Sequence, residues 1–331
     1  MEIRELVPLV DDDIERVSKL IVETLAVDAP WVYPMTTESR ATFWRNGWDG
    51  EPPRIFVGEE DGEVLVWGQL DLPERDNTHL AWTGVLVALE HRRRGLGSQM
   101  FEHLEAVSRA AGRTSIGIDG WESEGALGFA AHFGLERKSQ SIQRRMYVDK
   151  VDRELLAKQL EEARSASAGY ELLRVFGATP DEMVDEVVEI TAAINDAPTD
   201  DLDIEDEVFS AERLRDYEET SLAVGRLYTI YARHRETGRL AGKTIVQVEL
   251  ERPHIGHQHD TSVVSAHRGH RLGMLLKASM VEWLAEEEPQ LELIDTWNAE
   301  SNDHMIGVNE QLGYEIQGRN LEFQRDLTTA G

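Results

Sequence analysis

The chain has 331 residues, which favours two domains, because single hydrophobic cores rarely grow beyond roughly 250–300 residues. Its hydrophobic content of 41% and charged content of 29% are those of a globular protein, and no apolar run approaches the roughly 20 residues of a membrane span. The chain contains no cysteine, which excludes disulfides, thiolate nucleophiles and cysteine-ligated metals. A net charge of −29 argues against nucleic acid or an anionic membrane as the main partner.

The same charge fits a cationic substrate such as an amine, although general acidity that keeps a protein soluble is the simpler explanation. The first residues, Met-Glu-Ile-Arg-Glu, show no basic region followed by an apolar stretch. We therefore expect a cytoplasmic protein.

The first half of the chain alternates strand and helix patterns, and its last predicted strand runs into a loop rich in arginine and glycine. Helix, strand, helix and strand patterns follow that loop. In chain order, the elements predicted before the loop are a strand (1–7), a helix after the aspartates at 11–13, a helix (37–48), a hairpin (54–59 and 63–72) and a strand (80–88).

The second half repeats this order and also reaches an arginine- and glycine-rich loop. Because Arg92 and Arg268 lie about half the chain length apart, an internal duplication is the economical explanation. Between the halves, a helical pattern ends in the run Ser-Ala-Ser-Ala-Gly, which is typical of a joint. The elements predicted before the second loop are a strand (170–176), two helices (181–195 and 210–220), a hairpin (227–234 and 239–249) and a strand (261–265).

The loop of the first half, residues 92–97, reads Arg-Arg-Arg-Gly-Leu-Gly and lies between a buried strand and an amphipathic helix. Such a turn directs several backbone N–H groups and the positive end of the helix dipole at one anion. Glycine allows the backbone to approach the anion closely, and the arginines add positive charge. The loop therefore predicts a diphosphate site. It lacks the lysine of a nucleotide-hydrolase phosphate loop and the three glycines of a dinucleotide fingerprint.

A strand, then Arg-x-x-Gly-x-Gly, then a helix resembles motif A of the GNAT superfamily of N-acetyltransferases. The later turns at Gly134 and Gly313 resemble the family's Asn-x-x-Ala-x-x-Leu-Tyr-x-x-x-Gly-Phe segment, and the second half is also similar to actinobacterial two-domain GNAT proteins. The resemblance implies an α/β fold of two tandem domains, each a central mixed, mostly antiparallel sheet flanked by helices. The predicted boundaries are residues 1–150, a helical linker over 151–168, and residues 169–331.

The resemblance also implies acetyl-CoA as a co-substrate, with no metal. In this family the loop binds the pyrophosphate, and the acyl and pantetheine groups lie where the preceding strand splays from the next one. The implied cofactor-binding residues are Val85, Val87, Arg92, Arg93, Arg94, Gly95, Leu96, Gly97, Ser98, Val263, Arg268, Gly269, His270, Arg271, Gly273 and Asn302.

Each half departs from the family pattern in its own way. The first half has Ser123 at the family's asparagine position and Ala130 at its tyrosine position, whereas the second has Asn309 at the tyrosine position and Arg271 at the first motif glycine. Both halves therefore lack the tyrosine that commonly protonates the leaving thiolate, and two equally active sites are not expected. The first loop is favoured over the second for CoA binding, because Arg271 in place of glycine either narrows the second site or contacts a phosphate there.

A general base must lie within hydrogen-bond reach of the amine, directly or through a water molecule. The candidates are Asp260 before the second loop, Glu300 after the next strand, and Glu122 at the equivalent exit of the first half, where Asp119 and Glu124 also lie. Each is equally explained as a solvated loop carboxylate.

A cluster of acidic residues and a cluster of histidines each allow two interpretations. The acidic stretch between residues 196 and 219 fits recruitment of a cationic acceptor, or an ordinary solvated surface. Five histidines between 254 and 270 lack the spacing of a helical ligand pair, so His267 and His270 are expected beside CoA phosphates rather than on a metal.

The sequence thus predicts an N-acetyltransferase that passes an acetyl group from acetyl-CoA to a primary amine of a small acceptor by direct attack in a ternary complex. The alternative is a regulatory or structural CoA-binding protein with one or both sites degenerate.

Overall fold

The protein is described by a computed structural model over residues 1–328, and it divides into two compact units. Neither unit is continuous in sequence. The first comprises Met1–Ser141, Thr199–Asp206 and residues 318–328, and the second comprises Ile142–Pro198 and Glu207–Gln317.

The linear division into residues 1–150, 151–168 and 169–331 stays a prediction. The helix expected between the halves is present as α5 (Arg153–Ala166), which is capped by Asp152. Within residues 1–328, no helix is both long and apolar enough to cross a bilayer.

The sheet of the first unit has the strand order β1-β2-β3-β4-β5-β12. All neighbouring strands in it are antiparallel except β4 and β5, which are parallel. The elements are β1 (Glu2–Glu5), α1 (Asp11–Asp28), α2 (Thr37–Asn46), β2 (Arg54–Glu60), β3 (Glu63–Asp71), β4 (Leu80–Val87), α3 (Leu96–Ala110), β5 (Ser115–Trp121), α4 (Glu124–His132), the first part of β6 (Glu136–Tyr147) and most of β12 (Glu315–Asp326).

Both faces of this sheet are covered, because alternate residues of a strand point to opposite faces. On β2, Ile55 and Val57 join the core beneath α1, whereas Phe56 joins the core beneath α3. Helix α3 contributes Met100 and Leu104 to the second core, both fully buried. The loop before α3 is therefore fixed by a helix that cannot shift without opening the core.

The sheet of the second unit has the order β6-β11-β10-β9-β8-β7, and its only described parallel neighbours within residues 1–328 are β10 and β11. Helix α8 packs in the main core of this unit. The elements are the end of β6, α5, β7 (Tyr170–Phe176), α6 (Val184–Thr191), α7 (Ala211–Val224), β8 (Gly225–His234), β9 (Leu240–Glu249), β10 (Ile255–Val263), α8 (Leu272–Glu287), β11 (Leu293–Ala299), α9 (Asp303–Gln311) and the start of β12.

Two predicted elements of the second unit differ from the structure. The strand expected at 261–265 is β10, which begins at Ile255 and ends at Val263. A bulge between Gln258 and Thr261 interrupts its alternation, which explains why the pattern alone located only its end. The helix expected over 181–195 is α6, flanked by 3₁₀ turns on both sides.

A buried ion pair fastens β6 to β11 in the second unit. Arg145 Nε donates to Asp295 Oδ1 at 2.7 Å, and Nη2 donates to Oδ2 at 2.7 Å. Gln143 Nε2 adds a third hydrogen bond to Asp295, at 3.0 Å. Only 4% of either charged side chain is exposed, so the loss of one charge would leave the other unpaired in the protein interior.

We expect Asp295→Asn to lower the free energy of unfolding of the second unit by about 3–5 kcal/mol, because it removes the carboxylate charge that the buried Arg145 guanidinium binds through two hydrogen bonds. Urea unfolding followed by circular dichroism measures this. Glu282→Gln is the control, because the Arg164–Glu282 pair is exposed, and its loss should cost less than about 1 kcal/mol. Equal midpoint shifts for the two variants would contradict the prediction.

Candidate functional site

A large cavity lies in the first unit where β4 and β5 part. The two parallel strands are in register from Leu80 and Ser115 to Thr83 and Ile118, and then diverge. Residues 84–87 continue beside β3, and residues 119–121 continue beside β12. The cavity between them measures about 870 Å³ and is lined by both strand ends, the arginine-glycine loop and α4. The splay implied by the family resemblance is therefore present in this unit.

The arginine-glycine loop directs the start of α3 into this cavity. Arg93 and Gly95 both adopt left-handed backbone conformations, with φ of 60° and 80°. The first helical hydrogen bond joins Gln99 N to Gly95 O, so the N–H groups of residues 96–98 have no acceptor within the helix. No side chain caps this helix. The loop thus offers the cavity unpaired N–H groups and the positive end of a helix dipole.

The three arginines of the loop have different surroundings. Arg92 is bound by Asp28 at the end of α1, with Nη1 donating to Oδ1 at 2.8 Å, and this pairing raises the pKa of the guanidinium. Arg94 is bound to His91 and Glu60 and does not line the cavity. Arg93 lines the cavity and, among the described residues, its guanidinium has no hydrogen bond or ion pair. Arg93 is therefore the arginine best placed to meet an anion.

The second loop has left-handed residues at the same two positions as the first, but the glycine and the arginine have exchanged places. Its left-handed positions are Gly269, with φ of 83°, and Arg271, with φ of 56°. Arg268 repeats the contacts of Arg92, because it donates to the carbonyl of Val263 at 3.1 Å and pairs with Asp196. Arg271 donates to Glu162 at 2.8 Å, which turns its charge toward α5. The substitution of a motif glycine by arginine thus preserves the turn.

The family's asparagine position is a helix cap in both units. Asn302 Oδ1 accepts from Met305 N at 3.2 Å at the start of α9, and Ser123 Oγ accepts from Ala126 N at 3.1 Å at the start of α4. Serine therefore performs the same capping role as asparagine. At the tyrosine position, Ala130 lines the cavity of the first unit.

The three predicted general bases do not come together. Glu122 and Glu300 are exposed turn residues, and Glu122 does not line the cavity. Asp260 belongs to the second unit, where its Oδ2 lies 3.2 Å from Lys243 Nζ and accepts from Ser262 at 3.1 Å. Its Oδ1 is buried without a partner among the described residues. The roles assigned to these three residues stay predictions, and the first unit's cavity has other carboxylates.

Asp71 and Asp119 line the cavity, and sequence reasoning missed the first of them. Asp71 is the last residue of β3; burial raises its pKa to about 6, and the neighbouring charge of Asp119 adds to the rise. Asp119 accepts from Trp82 Nε1 at 2.8 Å and from Asn320 Nδ2 at 2.8 Å. No sequence motif marks Asp71, because its proximity to Asp119 arises only when β4 pairs with both neighbouring strands.

Two of the five clustered histidines of the second unit are bound to tyrosines, and a third, His257, lies 2.8 Å from Glu249 Oε1. His259 Nδ1 lies 2.6 Å from Tyr217 Oη, and burial lowers the pKa of His259 to about 3. His267 Nδ1 lies 2.9 Å from Tyr170 Oη, and burial followed by the charges of His234 and His270 lowers its pKa. Within the described part of the chain, no group of three or more histidine, aspartate or glutamate side chains could hold a metal ion.

The acidic stretch is divided between the units. Residues 199–206 belong to the first unit, where Ser139 Oγ donates to Asp200 at 2.6 Å and Gln324 Oε1 accepts from Asp203 N at 2.7 Å. None of these eight residues is among those that line the cavity. The role of the stretch in recruiting an acceptor stays a prediction.

Residues 19–135 match the profile of the acetyltransferase (GNAT) family. The chain is similar over its full length to a tandem GNAT protein from the clavulanic acid biosynthesis pathway, with 28% identity, a TM-score of 0.80 and 100% of both chains covered. A GCN5-related N-acetyltransferase from Sphaerobacter thermophilus shares the fold at 14% identity, with a TM-score of 0.68 over 98% of this chain and 95% of that one. A comparison with curated proteins finds no significant match. The predicted tandem GNAT fold is confirmed.

Gly117 of β5 leaves room for the indole of Trp82, which reaches across to Asp119. A Cβ at Gly117 would lie 2.3 Å from Trp82 Cζ3, so Gly117→Ala should displace the indole and break its hydrogen bond. We expect a loss of about 1–3 kcal/mol in the free energy of unfolding, measured with urea. Gly120→Ala is the control on the same strand, since its Cβ would meet only Ala126 at 3.8 Å. A crystal structure of Gly117→Ala with Trp82 unmoved would refute this reading.

Proposed function

We propose that the protein is an N-acetyltransferase with acetyl-CoA as acyl donor and the primary amine of a small molecule as acceptor. The match of residues 19–135 to the profile of the acetyltransferase (GNAT) family supports this proposal. The observation that carries the proposal is the cavity of the first unit. It joins an anion-binding loop, two parted strands and two carboxylates in one space of about 870 Å³.

The residues of the first unit fit the donor. The N–H groups of residues 96–98 and the guanidinium of Arg93 supply the positive potential that a diphosphate requires. Residues 84–87 of β4 and 119–121 of β5 do not form backbone hydrogen bonds with each other. The backbone N–H and C=O groups that face the gap are therefore available to the amide groups of a pantetheine arm. Acetyl-CoA, when bound, supplies a thioester carbonyl that an amine can attack.

Direct attack in a ternary complex is the mechanism that this chain allows most simply. The sequence has no cysteine, so a cysteine acyl-enzyme is excluded. The acceptor side of the cavity contains Asp71, Asp119 and Trp82, and two carboxylates beside an aromatic ring favour a cationic amine. We assign catalysis to the first unit, because in the second Arg271 is engaged by Glu162 and Gln159.

A second candidate function is a CoA-binding regulatory or structural protein with little turnover. One observation favours it: Ala130 lines the cavity at the position where the family commonly has a tyrosine that protonates the thiolate. The described lining residues of the cavity include no tyrosine. Under this alternative, acetyl-CoA binds but is not consumed.

We expect thiol release from acetyl-CoA in the presence of a cationic primary amine, and weaker release with neutral amines of the same size. Isothermal titration with acetyl-CoA, followed by a thiol assay over an amine panel, measures both steps. Binding without thiol release on any amine would favour the second candidate. The absence of both binding heat and thermal protection would contradict both functions.

We expect Gly97→Asp to raise the acetyl-CoA dissociation constant at least tenfold, because it places a carboxylate beside the unpaired N–H groups of the first loop. Aspartate in the first turn of a helix is favourable, and the new Cβ would lie 3.2 Å from a methyl group of Val87, which needs a shift of only a few tenths of an ångström, so the fold should be retained. Gly273→Asp makes the same change at the second loop and should alter binding less than twofold. The opposite ranking would assign the donor to the second unit.

A further inference from the structure

The carboxylates of Asp71 and Asp119 differ in the number of hydrogen bonds that their oxygens accept. Both oxygens of Asp119 accept hydrogen bonds at 2.8 Å, one from Trp82 and the other from Asn320. Asp71 accepts one bond at its Oδ2, from Gln69 Nε2 at 2.9 Å. Among the described residues nothing donates to Asp71 Oδ1. Asp71 therefore has an oxygen available to a ligand in the cavity, whereas Asp119 is held in place.

We propose that Asp71 is the general base that takes a proton from the attacking amine, and that Asp119 is a positioning residue that fixes Trp82 and places a negative charge beside Asp71. This inference rests on the proposed acetyltransferase function and adds the identity of the base. Of the sequence-predicted candidates, Asp260, Glu300 and Glu122 do not line this cavity, whereas Asp119 does.

The register of the sheet brings the two residues together. Asp71 is the Cα partner of Trp82 across the β3–β4 pair, and Trp82 is in parallel register with Gly117 of β5. Since Gly117 has no side chain, the indole crosses β5 and its Nε1 reaches Asp119, two residues further along. Asp71 on β3 and Asp119 on β5 therefore face the same cavity, and the indole of Trp82 extends from β4 to Asp119.

The charged groups around Asp71 maintain its basicity. Burial raises its pKa to about 6, and the charge of Asp119 contributes to the rise. On β12, Glu322 faces Asp119 in register and accepts from Ser141 at 2.6 Å, while Asn320 is neutral. On the neighbouring strand β2, Arg54 pairs in register with Leu70, the residue before Asp71. Its guanidinium is bound by Glu5 and does not neutralise Asp71. A base with a pKa near the working pH is ionised at neutral pH and still accepts a proton readily.

The step balances in protons and electron pairs. An ammonium acceptor gives one proton to the Asp71 carboxylate and becomes a neutral amine. The nitrogen lone pair forms the C–N bond to the acetyl carbon, and the carbonyl oxygen takes the negative charge. When the oxygen re-forms the carbonyl, the C–S bond breaks, and the surplus proton on nitrogen goes to the departing thiolate. The Asp71 proton is then released to solvent, so the products are an amide, the CoA thiol and one proton.

The test is the pH dependence of turnover between pH 5 and 9, measured with the full-length protein, acetyl-CoA and the amine that reacts fastest in the panel. The wild-type kcat/KM should fall below a pH of about 6, where Asp71 becomes protonated. Asp71→Asn should lower kcat at least 100-fold at pH 8 and remove that fall, while the acetyl-CoA dissociation constant stays within twofold. Asp71→Glu should restore part of kcat.

Asp119→Asn tests the positioning role. Removing its charge should move the acidic limb of the profile to lower pH, because the neighbouring negative charge no longer raises the pKa of Asp71. Glu322→Gln is the matched control, since Glu322 is a half-buried carboxyl whose pKa is also raised by burial, yet it does not line the cavity. Its acidic limb should coincide with that of the wild type.

Thermal stability, which is measured without substrate, distinguishes loss of the base from misfolding of the variant. A carboxyl whose folded pKa is raised stabilises the protein at low pH, and this contribution is lost as the pH rises through the folded value. This loss runs from the unfolded value of about 4 to the folded value of about 6, so Asp71→Asn should gain thermal stability relative to the wild type as the pH rises through that window and keep the gain up to pH 8. Turnover by Asp71→Asn with an unchanged acidic limb would overturn the assignment of the base. Failure of the wild-type protein to acetylate any amine would instead overturn the proposed function.

Discussion

Backbone hydrogen bonds join β4 to β5 only as far as Thr83 and Ile118, and this early end of the parallel pairing gives the first unit its cavity. Buried backbone groups need partners, so two strands that part inside a sheet leave edges that a ligand can satisfy. The same divergence exposes the start of α3, whose N–H groups have no acceptor within the helix. Strand geometry, rather than a mobile loop, therefore positions the unpaired N–H groups of α3 and the carboxylates of Asp71 and Asp119 around one cavity.

The motif arginines divide two tasks between them. In both units the first arginine binds the end of the preceding strand and an aspartate, Asp28 in one unit and Asp196 in the other. Such an arginine fixes the entry to the loop, and its charge is already balanced. The attraction for an anion in the first unit then depends on the backbone N–H groups and Arg93. The motif that reads as a row of positive charges thus contains a structural arginine, Arg92, and an arginine that is available to a ligand, Arg93.

Much of the fold followed from local patterns. The two loops, the hairpins and the repeated order of helices and strands were predicted because each depends on residues close together in the chain. The beginning of β10 was missed because a bulge breaks its alternation between Gln258 and Thr261. The pairing of Asp71 with Asp119 was not predictable from spacing, since it depends on the register of three strands and on the absence of a side chain at Gly117. Asp260 was chosen because it lies on the strand before the second loop, and Glu122 because it follows the strand after the first loop. Such positions in the chain do not determine which side chains face the cavity.

Strand β12 carries a consequence for how the protein is made. Residues 320–326 pair with β5 and contribute Leu321 and Phe323 to the core beneath α3. The ribosome synthesises these residues after those of the second unit, although the rest of that sheet is complete by residue 121. The first unit must therefore wait until the second has been translated before β12 can pair, and its apolar edge at β5 stays uncovered during that interval. Translation of β12 is, for this protein, a step in folding a sheet whose other strands were made much earlier.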